Sequence, residues 1–137
     1  MTKVTQRKYN KEYAVVLLRI AEGDLKTVNI LTEAIHEGRP ENILFIAQQS
    51  IEKSLKSVLV HLGISFPLIH DLGILITLIP ENYAPPYGYD LRELNQYATT
   101  RRYEDGHYKL TDEEIMAAVH GAKMVLSWAQ KNILVDT

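Results

Sequence analysis

Apolar positions along the chain recur at steps of three and four residues, which is the period of an amphipathic helix. Tyr13, Val16, Leu17, Ile20, Leu25, Val28, Leu31 and Ile35 predict a first helix over about 9–37. Gly38 suits a left-handed cap after it, and Pro40 bars continuation. Pro40 also suits a first helical position, with Glu41 placed to complement the positive helix end. A second helix is therefore predicted over about 40–62, with Ile43, Ile46, Ala47, Ile51, Leu55, Val58, Leu59 and Leu62 as its stripe and Gly63 as its stop. Leu72, Leu75, Ile76 and Ile79 mark a short third helix over about 68–79, ended by Pro80. A fourth, over about 90–99, opens on a capping-box pattern, Asp90 to Glu93, and turns Leu91, Leu94 and Ala98 inward. A fifth opens on Thr111 to Glu114, a second capping-box pattern. It runs through Ile115, Val119, Ala122, Leu126 and Ala129 to about Asn132.

No segment alternates apolar and polar residues over strand length. Short connections between long amphipathic helices imply antiparallel neighbours. The pattern predicts an all-α fold, an antiparallel up-and-down bundle of four to five helices. The chain of 137 residues reads as a single domain with its core over about 9–133.

Composition narrows the chemistry. There is no cysteine, which excludes a disulfide scaffold, a thiolate zinc site, an iron–sulfur cluster and a thiol nucleophile. This fits a reducing compartment, and the expected location is the cytoplasm. No apolar run reaches the ~18 residues that a membrane-spanning helix needs. The net charge of -2 excludes a polycation, so any contact with nucleic acid needs a local patch.

Two regions carry candidate chemistry. The segment 95–109 holds Arg101, Arg102, Tyr97, Tyr103, Tyr108 and His107. Arginine forks onto phosphate, tyrosine stacks on a base, and histidine moves a proton near neutral pH. The bland alternative is a solvated loop whose arginines pair with Glu104 or Asp105. On the second helix, Gln48, Gln49, Glu52, Lys53 and Lys56 lie off the apolar stripe. They read either as a solvated face or as the lining of a polar groove, and Glu52 and Lys56 are spaced for an i,i+4 pair. Ser50, Ser54 and Ser57 read as close-packing positions. Asp71 is placed to cap the third helix, and His70 to bond a neighbouring carbonyl. No His-x-x-x-His spacing occurs on a helix, and His61, His70 and Asp71 lack the further ligand a metal would need, so no metal site is expected, and no cofactor is.

The order of these motifs resembles the HEPN family. Residues 47–59, Ala-Gln-Gln-Ser-Ile-Glu-Lys-Ser-Leu-Lys-Ser-Val-Leu, are similar to that family's second helix. Gly63 through Pro67 to His70-Asp71-Leu72 is similar to its following turn, and Leu94-Asn95-Gln96-Tyr97 with Arg102-Tyr103 to its later segment. The resemblance implies a helical bundle that forms a homodimer and pairs with a minimal nucleotidyltransferase, in some cases as a toxin–antitoxin-like module. It leaves enzymatic activity open. One implied reading is a subunit that binds nucleotide or RNA phosphate through Arg101, Arg102, Tyr103 and Tyr97, with Gln49, Glu52, Lys53 and Lys56 lining the same groove. Another is a metal-independent endoribonuclease toxin in which Arg102 and His107 are catalytic. A third is an interaction subunit without a ligand.

Overall fold

A computed structural model describes residues 6–7, 10–98 and 110–134. It is an all-α bundle of four α-helices and a long 3-10 helix: α1 (Tyr13–Thr32), α2 (Pro40–His61), α3 (Leu72–Leu78), the 3-10 helix (Gly88–Ala98) and α4 (Asp112–Leu134). A single 3-10 turn, Glu81–Tyr83, sits between α3 and the long 3-10 helix. Two residue pairs form a minimal antiparallel ladder, β1 (Gln6–Arg7) with β2 (Phe66–Pro67). The periodicity gave no hint of this ladder, because two residues are too few to alternate.

α2 is the central element, packed against α1, α4, α3 and the 3-10 helix. Its stripe is buried from Ile43 to Leu59 except at Ile46, which is half-buried. Ser50, Ser54 and Ser57 are buried beside it, and the Ser50 hydroxyl donates to the Ala21 carbonyl of α1 at 2.9 Å. These short side chains let the two helix backbones approach. The stop at Gly63 works as the sequence suggests. Gly63 has φ 73° and donates to the Val60 carbonyl, while Ile64 donates to the Leu59 carbonyl. That pair of bonds is the Schellman closure, which needs a left-handed residue where glycine carries no Cβ penalty.

α4 opens on the capping box read from the sequence. Glu114 N–H donates to the Thr111 hydroxyl at 3.1 Å, and Thr111 N–H reaches back to the Glu114 carboxylate at 3.4 Å. Asp71 caps α3, accepting from Ile74 N–H at 3.2 Å. Gln130 of α4 donates to Glu22 of α1 at 2.8 Å, joining the first and last helices. Burial pushes the Glu22 carboxyl up, but hydrogen bonds from Arg19 and Gln130 outweigh it and hold the group below the ordinary glutamate value.

Five expectations change. α1 is shorter at both ends than 9–37, and residues 33–37 are turns. α3 begins at Leu72 rather than 68, because Asp71 caps it there. Gly38 does not take a left-handed conformation, because the helix ends before reaching it. Segment 88–98 is a 3-10 helix rather than an α-helix, and Leu91 and Leu94, three residues apart, stack along one side of that tighter spiral. Val16 and Ile20, read as core, are 49% and 42% exposed. The apolar stripe of α1 is wider than the surface its neighbours cover.

Candidate functional site

The polar positions of α2 do not form a solvated face. Gln48 and Glu52 are buried, Glu52 to 1% exposure. Their burial follows from the chain before α3, which crosses this side of α2. Gln48 donates through Nε2 to the His70 carbonyl at 3.2 Å and accepts at Oε1 from Gln49 Nε2 at 2.7 Å. Lys53 Nζ then donates to Gln49 Oε1 at 2.7 Å.

Glu52 is the hub. Its Oε1 lies 2.9 Å from His70 Nδ1, and its Oε2 accepts from Lys56 Nζ at 3.0 Å, with Lys53 Nζ 3.8 Å away. The i,i+4 spacing of Glu52 and Lys56 therefore does form a pair, in a largely buried setting. A buried carboxylate is costly unless paired and hydrogen-bonded; here donors serve both oxygens. The Lys56 ammonium lies 5.9 Å from the centre of the Phe66 ring, within cation–π range. His70 reaches furthest outward, its side chain 71% exposed against 22% for Lys53 and 12% for Lys56.

A second hydrogen-bonded joint fixes the neighbouring wall. Asn95 of the 3-10 helix accepts from Leu72 N–H at 2.8 Å and donates to Asp71 at 3.3 Å. The Arg92 side chain lies across Gly73, where a Cβ would meet its Cδ at 2.8 Å. The 3-10 helix is thus clamped against α3.

Asp24 of α1 faces the same cluster. Burial raises its carboxyl above the ordinary aspartate value; Lys53 works against that and Glu52 with it. The folded state therefore holds this proton more tightly than the unfolded chain does. Stability falls as pH rises from about 4 through the folded-state value, and the cost of the ionised group is complete above it. Asp24→Asn is expected to be more stable than wild type at pH 7, with the two converging below about pH 4. Urea unfolding at both pH values checks this.

The structure brings together Gln49, Glu52, Lys53 and Lys56. Tyr97 falls within the 3-10 helix, while Arg101, Arg102, Tyr103 and His107 lie outside the described residues. The His70 ring meets Glu52 rather than the neighbouring carbonyl expected for it, and its own carbonyl accepts from Gln48. The available signal was a Gln-Gln-x-x-Glu-Lys run inside an otherwise apolar helix.

Other features add little to this face. Among the described residues, no three His, Asp or Glu side chains gather as a metal site, and no helix is long and apolar enough to cross a membrane. A hollow of about 540 Å³ at the turn between α1 and α2, lined by Leu31, Ile35, Ile43 and Ile46 among others, lies toward the opposite end of α2.

Comparison with curated proteins and with solved structures gave no match. The family model described as HEPN domain matches residues 14–133, a span that contains the Glu52 cluster and all of the helical bundle but its first and last residues. The chain belongs to the HEPN domain family.

Proposed function

We propose that this chain is a HEPN subunit that binds the phosphate of a nucleotide or RNA, and acts with a minimal nucleotidyltransferase as its partner. One observation supports this most. Two lysines on α2 are gathered beside a buried carboxylate, and the 3-10 helix that packs on α2 ends at Ala98, three residues before Arg101 in sequence. An ammonium has three donors. Lys53 gives one to Gln49, with Glu52 at a longer 3.8 Å, and Lys56 gives one to Glu52. Donors remain on this face for a phosphate oxygen. Arg101 and Arg102 supply the forked contacts, and Tyr97 and Tyr103 the stacking surface.

A homodimer belongs to the same reading. Val16 and Ile20 expose an apolar strip on α1, the kind of surface that subunits bury. Sedimentation of the wild type as a monomer would remove the dimer from it.

The test is titration calorimetry with ATP and, separately, with a short single-stranded oligoribonucleotide. Arg101→Ala combined with Arg102→Ala is expected to weaken binding at least about tenfold, since hydrogen bonds between charged groups are worth about 1.5–3 kcal/mol. Unchanged binding would overturn the arginine assignment. RNA cleavage in excess chelator, lost in His107→Ala, would replace the binding reading with the ribonuclease one.

A further inference from the structure

The Glu52–His70 pair has an asymmetry that a purely structural tie does not need. The carboxylate is at 1% exposure, while the imidazole bonded to it is 71% exposed. A carboxylate oxygen accepts, so the hydrogen of this bond sits on His70 Nδ1. The bond fixes the ring's orientation and leaves Nε2 as the outward nitrogen. No partner for Nε2 is found among the described residues. The backbone is held as well, by the bond from Gln48 to the His70 carbonyl and by the capping bond of Asp71 to Ile74 N–H. A solvent-facing imidazole is thus anchored at both ring and backbone beside two lysines.

We propose that His70 is a phosphate-contacting residue of this face, with protonated Nε2 donating to a phosphate oxygen, and that Glu52 is its positioning residue. This rests on the phosphate-binding reading above and adds a residue and a pH dependence to it. The ligand chemistry is a phosphate group, carried by a free nucleotide or by RNA. The charged groups of this face are Asp24 from α1, Glu52, Lys53 and Lys56 from α2, Asp71 beside the imidazole, and Arg92 from the 3-10 helix. Nε2 donates to a phosphate oxygen only when it carries a proton, so binding through it weakens as pH rises.

The experiment is calorimetric titration of the full chain with ATP, and in a second arm with a short oligoribonucleotide, from about pH 6 to about pH 8. Imidazole nitrogen shifts are followed in parallel by NMR. The His70 Nε2 resonance is expected to move on addition of ligand. Affinity is expected to fall with rising pH by about tenfold. ATP also titrates near neutral pH on its terminal phosphate, so the His70→Asn curve is the reference. That variant changes an exposed side chain and should fold; it is expected to bind more weakly at low pH and to lose the extra pH dependence. Glu52→Gln is expected to flatten the profile toward that of His70→Asn.

A pH profile that is the same in all three proteins, with binding intact and the wild-type His70 Nε2 resonance unmoved by ligand, would overturn this proposal and leave the phosphate-binding reading standing. Absence of binding to either probe by the wild type would overturn both. A response in only one arm would support the proposal and name the source of the phosphate.

Discussion

Leu55→Ala is expected to destabilise the fold by about 3 kcal/mol, within the range of about 2–5 kcal/mol for such truncations in a packed core. Leu55 is fully buried on α2, the helix against which both α1 and α4 pack. Removing three carbons there loses their transfer from water and leaves a hollow. The walls of that hollow belong to long helices that cannot collapse into it independently. Domains of this size are stable by about 5–15 kcal/mol, so one such substitution removes a large share. Leu68→Ala is the matched control. Leu68 lies between β2 and α3 and is exposed, so its truncation should change stability by no more than about 0.5 kcal/mol. Urea unfolding followed by circular dichroism reads both, as a shift of the midpoint. An equal shift in the two variants would contradict the placement of the core.

Glu52→Ala is expected to cost a similar amount, about 3 kcal/mol, by a different mechanism. The loss does not come from His70, which is exposed and keeps access to water. It comes from Lys56, whose side chain is only 12% exposed and whose ammonium would lose its acceptor. An uncompensated cation in a nearly closed site carries most of its desolvation penalty. Glu52→Gln keeps the volume and an acceptor oxygen, so it should be markedly milder. Combining Glu52→Ala with Lys56→Met removes both charges and should recover much of the loss, since buried pairs are often replaceable by apolar side chains. If the double variant were as unstable as the single one, the destabilisation would reside in packing rather than in the stranded charge.

The helical frame was legible because its determinants are local. The stripe of α2, its start at Pro40, its stop at Gly63 and the Thr111–Glu114 box each depend on residues within a turn or two of one another. The end of α1 was less legible. Pro40 marks the last place at which that helix must have stopped, but the backbone unwinds earlier, at 33–37, while Ile35 still packs against the core from a turn. A wide stripe also made Val16 and Ile20 look interior, although no described neighbour covers them.

The site was legible only as a list of residue types. Glu52, Lys53 and Lys56 stood out as polar residues in an apolar helix. The burial of Glu52 follows from the chain before α3, whose His70 is 18 residues from Glu52 in sequence. No window short enough to show helical periodicity contains both partners. A buried carboxylate on α2 is thus a tertiary fact, whereas its i,i+4 lysine is a local one.

The central place of α2 also bears on how the molecule opens. A helix at the edge of a bundle can detach alone and let water reach its amides. α2 cannot, because α1, α3, α4 and the 3-10 helix all rest on it. Freeing the amides around Ile51 and Leu55 means dismantling the rest of the domain. Their hydrogen exchange should then report the free energy of global unfolding, while the ends of α1 and α4 exchange through smaller, local openings.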